Sequence, residues 1–140
     1  MNLGRALFLH DLISDEEIDI CAHIFHLLCK TVLRTDSRAC IPFCCLILRI
    51  LKLKGWVKRK SFFVSPIYLA EILHINRPML ATTLVYDDLN LDKDLLQETL
   101  GRNLKFSQTG NSISVSSLSP ELRVLTIIMF HNLYPLSSIG

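Results

Sequence analysis

A chain of 140 residues, half apolar and a fifth charged, is long enough to bury one hydrophobic core and too greasy to stay disordered. The formal net charge of +2 supplies no global field towards nucleic acid or a membrane, so any such partner must rest on local clustering. Five cysteines, an odd number and several within apolar periodic segments, argue against a disulfide framework and for reduced thiols in the cytosol or nucleus.

The opening Met1-Asn2-Leu3-Gly4-Arg5 lacks the pattern of a secretory leader. Leu3 to Leu12 reads as a helix with Leu3, Ala6, Leu7 and Phe8 near one face, and no residue is read as its cap. Ser14 is expected to cap a second helix, with Asp15, Glu16 and Glu17 in its first turn and Ser14–Glu17 forming a capping box. That helix should run to about Arg34. Helical periodicity places Ile18, Cys21, Ala22, Phe25, Leu28, Cys29 and Val32 on its core face, and Asp19, His23, His26, Lys30 and Arg34 on the wet one.

Thr35 to Arg38 is a turn. The run Ala39 to Leu48 is almost wholly apolar and offers no polar face, so it is expected at the centre of the molecule as a buried helix. Pro42 suits that helix's first turn, and Gly55 its end after Lys54. At about ten residues the run is roughly half of a membrane span. Lys58 to Val64 reads as a short strand.

Ser65-Pro66 is a cap followed by a proline at the first helical position, opening a short buried helix that Asn76-Arg77-Pro78 ends. Met79 to Tyr86 is ambiguous. Asn90 to Asp92 should start a helix ending at Leu100 before Gly101. Leu104 to Phe106 and Ser112 to Ser116 flank the turn Gln108 to Asn111 and read as a hairpin, or as a strand paired with Ser61 to Val64. Ser119-Pro120 repeats the cap device for a helix to about His131, which its apolar content marks as deeply buried; Asn132 to Pro135 stops it. The expected fold is mainly α, a compact single-domain bundle over 1–140 of about five to six helices with a small two- or three-stranded β element.

Two blocks of residues resemble a known family. The first is Arg5-Ala6-Leu7-Phe8-Leu9-His10-Asp11-Leu12, with Ile18-Asp19-Ile20, His23-Ile24-Phe25, Ile41-Pro42-Phe43-Cys44-Cys45-Leu46-Ile47 and Gly55. The second is Phe62-Phe63-Val64-Ser65-Pro66, with Leu69 to Leu73, Ser117 to Arg123 and Asn132-Leu133-Tyr134-Pro135. Together they are similar to the plant transposon protein domain family, whose members are associated with retrotransposon-derived genes. Residues 1–55 resemble the C-terminal part of that domain and 56–140 its N-terminal part, so the halves stand in swapped order. The resemblance implies either a circular permutation or a fragment spanning two copies. A permuted domain would place Gly140 near Met1. No catalytic motif carries over.

Cys21, His23, His26 and Cys29 are zinc-ligand types, but they spread around the helix so that only His26–Cys29 or His23–His26 could share an ion, with the remaining ligands supplied from elsewhere; a Cys/His metal protein is therefore a second alternative, and core cysteines with wet histidines the bland reading. Cys40, Cys44 and Cys45 read as small hydrophobes inside the buried run. The strongest candidate site is basic: Arg49, Lys52, Lys54, Lys58, Arg59 and Lys60, with Trp56 and Phe62 as stacking surface and no acid between Asp36 and Glu71. The bland alternative is a solvated helix end followed by a lysine-guarded edge strand. Phosphate loops, dinucleotide fingerprints, nucleophile elbows and zinc-protease motifs are absent. The expectation is therefore a non-enzymatic structural or interaction domain, without cofactor or metal, located in the nucleus or cytoplasm. A protein partner or self-association would be its main business. Weak nucleic-acid binding through 49–60 is the alternative, and no membrane or small-molecule partner is expected.

Overall fold

The structure is a computed structural model describing residues 1–33, 43–54, 64–81, 86 and 92–133. Among these the chain is mainly helical. Helix α1 spans Leu3–Ile13. Contrary to expectation its start is capped: the Asn2 side chain accepts the Arg5 N–H at 2.9 Å. Its end explains a second correction. Asp15 takes the left-handed conformation (φ 56°), the Ser14 N–H donates to the His10 carbonyl at 2.9 Å, and the Glu16 N–H donates to the Asp11 carbonyl at 3.1 Å. This is a Schellman closure with aspartate where glycine is usual. It uses Ser14 to Glu16 to finish α1, so they cannot open the next helix as a capping box. Helix α2 begins later, at Ile20, and runs to Val32.

Helix α3 covers Cys44–Lys54, preceded by Phe43 in the left-handed region (φ 55°). Helix α4 spans Pro66–Leu73 with Ser65 as cap, its Oγ accepting the Tyr68 N–H at 3.2 Å, and His74 closing it in the left-handed conformation. It ends before Asn76-Arg77-Pro78 is reached. Helix α5, Lys93–Leu100, is capped by Asp92 and ends at Gly101, whose φ of 126° is open to glycine and few others. Helix α6 is Pro120–Asn132, its N-terminus held by Ser119 Oγ on the Leu122 N–H at 3.3 Å.

No strand forms among the described residues. The expected hairpin reduces to one isolated antiparallel bridge, Phe106 to Ile113, and a second bridge joins Asn2 to Ser112. Serine chemistry accounts for the shortening. Ser117 Oγ donates to the Ser114 carbonyl at 2.6 Å and accepts the Lys105 N–H at 3.1 Å, winding Val115–Ser117 into a 3₁₀ turn where a ladder would have continued. The Lys58 to Phe63 part of the expected strand lies outside the described residues; Val64 is coil.

The chain divides into two compact units: Met1–Asp19 with Pro78–Asn132, and Ile20–Arg77 with Leu133–Gly140. In the first, α1 packs on α5, and the buried set includes Leu3, Leu7, Phe8, Leu9, Leu96, Leu100, Ile113 and Met129. In the second, α2 packs on α4 around Cys21, Ile24, Ile50, Leu69 and Ile72. Gly140 lies outside the described residues. No helix among the described residues is long and apolar enough to cross a membrane.

Burial corrects three expectations. The apolar run is not enclosed: Cys44, Cys45 and Leu48 are exposed, and Ile50 is the residue of α3 that is seated in the core. Helix α6 is not deeply buried either; Thr126 and Met129 face inward, while Val124, Ile127 and Ile128 are each more than half exposed. On α2 the faces are rotated from those expected, with His23 buried and Cys29 exposed. Helix α6 is apolar over most of its circumference, so its sequence does not specify which side turns inward, whereas on α3 the bases Arg49 and Lys52 lie on the exposed half.

Candidate functional site

The basic cluster is placed in part. Arg49 and Lys52 stand exposed on α3, whose last residue is Lys54. Trp56, Lys58, Arg59, Lys60 and Phe62 lie outside the described residues, as does Cys40. The 3.6-residue period orders the exposed half of α3 as Cys44, Leu48, Lys52, Cys45, Arg49 and Leu53, with Leu46, Ile47 and Leu51 half-buried at its edges and Ile50 opposite. Thiols and leucines therefore share a surface with bases, and the cysteines are not the core hydrophobes their setting suggested.

Division into units also changes the reading of charge. The second unit holds ten Lys and Arg against two carboxylates, a formal +8, while the first holds five against eleven, a formal −6. The near-neutral total conceals two strongly charged units. Sequence alone carried this signal only as the acid-free interval from Asp36 to Glu71.

In the first unit α1 carries a buried polar network that sequence reasoning missed. The Tyr86 hydroxyl donates to Asp11 Oδ2 at 2.6 Å, and the His10 Nδ1–H donates to Asp11 Oδ1 at 3.0 Å. His10, Asp11 and Tyr86 are all buried, and the Tyr86 ring meets Phe8 edge-on at 4.9 Å. Each carboxylate oxygen is thus engaged by a partner, as a buried carboxylate requires. The arrangement latches Tyr86, 75 residues away in sequence, onto α1. His10-Asp11 was visible only as part of a helical motif, and Tyr86 lay in the ambiguous stretch.

The zinc-type residues of α2 separate. Cys21 is buried in the core of the second unit, Cys29 is exposed, and His23 is 1% exposed with Nε2 2.9 Å from the Leu133 carbonyl. A carbonyl can only accept, so Nε2 carries the proton. Among the described residues no three His, Cys, Asp or Glu side chains are placed to hold a metal. Beside the end of α4 lies an open depression of about 540 Å³ bordered by Glu71, His74, Asn76 and Arg77.

Burial pushes the His23 imidazole below its ordinary value of 6.5; the Leu133 carbonyl opposes this and the neighbouring His26 adds to it. The unfolded chain therefore takes up this proton before the folded one does. Stability from His23 is complete above pH 6.5 and falls as pH drops below that value towards the depressed folded pKa. Unfolding free energies from urea titrations at pH about 8 down to about 5 should decline with a slope of up to about 1.4 kcal/mol per pH unit from this group. The variant His23→Gln, which keeps an N–H for the carbonyl but does not titrate, should flatten that decline.

The chain matches no family model, no curated protein and no solved structure. The resemblance to plant transposon proteins rests on the motifs quoted above.

Proposed function

We propose that this chain is a non-enzymatic interaction domain that pairs with a second copy of itself, descended, as the motif resemblance implies, from a plant transposable-element protein. The observation that carries the reading is the ridge on α6. Val124, Ile127 and Ile128 form a helical i, i+3, i+4 stripe left to water. The stripe carries no charge to select a charged partner, and two such ridges related by a two-fold axis cover each other. The non-enzymatic part is supported by the Asp11 network, whose carboxylate oxygens are already committed to His10 and Tyr86. Cys21, Cys29, Cys44 and Cys45 are reduced thiols, which supports a reducing nuclear or cytoplasmic setting.

Sedimentation equilibrium should show mass rising with concentration towards that of a dimer. Ile128→Glu should hold the chain monomeric with its helical circular dichroism unchanged. A wild-type chain that stays monomeric at every attainable concentration removes this reading.

The alternative is nucleic-acid binding through Arg49, Lys52, Lys54, Trp56, Lys58, Arg59 and Lys60. The +8 of the second unit favours it. Affinity for a generic oligonucleotide should then fall steeply as salt rises.

A further inference from the structure

We infer that the exposed half of α3 is a docking surface for an anionic lipid bilayer. Three observations converge on one side of this eleven-residue helix. Leu48 and Leu53 are 65% and 61% exposed there. Arg49 and Lys52 stand between them, and no carboxylate occurs from 37 to 70. Cys44 and Cys45, polarizable and weakly hydrated, complete the face where solvent-exposed cysteine is uncommon. Opposite them Ile50 is only 3% exposed, so the helix is anchored by one side to its own unit and presents the other.

Charge complementarity selects the class of partner. A unit with a formal +8 seeks a polyanion. A nucleic acid would satisfy Arg49 and Lys52 but leave Leu48 and Leu53 wet. At a bilayer surface the leucines and thiols sink to the boundary of the acyl chains, while the longer basic side chains extend to the lipid phosphates. Both parts of the mixed face are then used. This differs from crossing the membrane, which needs about 20 apolar residues; a helix lying in the interface has no such requirement. The sequence-based expectation of no membrane partner rested on span length and total charge, and neither bears on a helix lying flat.

The experiment is flotation of the full chain with phosphatidylcholine vesicles, with and without about 30% phosphatidylserine. The chain should float with the anionic vesicles and be released at about 1 M salt, where the screening length is ~3 Å. Lys52→Gln or Arg49→Gln should each weaken partitioning about fivefold, and the pair about 25-fold. Leu48→Ala should weaken it roughly tenfold. None of the three positions is buried, so circular dichroism should be unchanged. Cys44 and Cys45 should also lose reactivity towards a membrane-impermeant maleimide, read at the peptide level, when anionic vesicles are added. Flotation that survives all three substitutions, or thiols that stay reactive in floated protein, would overturn the placement on α3. Binding of an oligonucleotide without flotation, indifferent to Leu48→Ala, would assign the face to nucleic acid instead. Binding to neither overturns the inference. Because Ile128→Glu on α6 leaves these residues untouched, loss of self-association and loss of vesicle binding can be told apart.

Discussion

Asp11→Ala is expected to lower stability by about 3–5 kcal/mol. The substitution removes the acceptor of both the Tyr86 hydroxyl and the His10 imidazole in a buried site, and each stranded donor costs about 1–3 kcal/mol. For a domain of ordinary stability, about 5–15 kcal/mol in all, that is a large share. Tyr86→Phe should cost about 1–3 kcal/mol, since it keeps the ring against Phe8 and removes only the hydroxyl. The double variant should be less damaging than the two single effects added together, with a coupling of about 1–2 kcal/mol, because the second change removes a partner already lost. Urea denaturation of the four chains measures this cycle. Strict additivity would mean that the hydroxyl and the carboxylate do not meet, and Tyr86 would not then be latched to α1.

Ile50→Ala and Leu48→Ala should differ sharply, although they lie two residues apart on α3. Ile50 is 3% exposed within the core formed with Cys21, Ile24, Leu69 and Ile72, so truncating it should cost about 2–5 kcal/mol through lost burial and the cavity left behind. Leu48 is 65% exposed, and its truncation should fall within about 0.5 kcal/mol of wild type. Denaturant midpoints for both variants read the orientation of the helix directly. Two equally large losses would show that α3 is enclosed on all sides, and the lipid-facing surface would disappear with its exposed half.

The helix caps were legible because they are chemistry between neighbours. Ser65 and Ser119 each cap the helix expected of them, Asp92 caps the helix expected to start within Asn90 to Asp92, and Gly101 ends α5 as its position implied. Ser14 shows where local reading stops. Its spacing to Glu17 fits a capping box, yet the same residues fit the closing turn of the preceding helix, and the bond from the Glu16 N–H to the Asp11 carbonyl favours the second use. Similarly, Ser112 to Ser116 alternates like a strand, but serine hydroxyls bonded to nearby backbone end the pairing after a single bridge.

The candidate site was legible as composition and not as surface. The acid-free basic interval could be read directly, whereas the exposure of Cys44, Cys45 and Leu48 beside it could not. The Asp11–Tyr86 contact spans 75 residues and leaves no periodic or spacing signal.

What the amino-acid order determined on its own is the mainly helical character, most of the caps and breaks, and the uneven placement of charge, all consequences of interactions within a turn or two of helix. What the tertiary structure alone decided is which side of α6 is covered, and that Cys44, Cys45 and Leu48 share the wet side of α3 with its bases. A helix that is apolar nearly all round, as α6 is, gains by burying any of its faces, so the neighbours it meets, and not its own pattern, choose the one left to water.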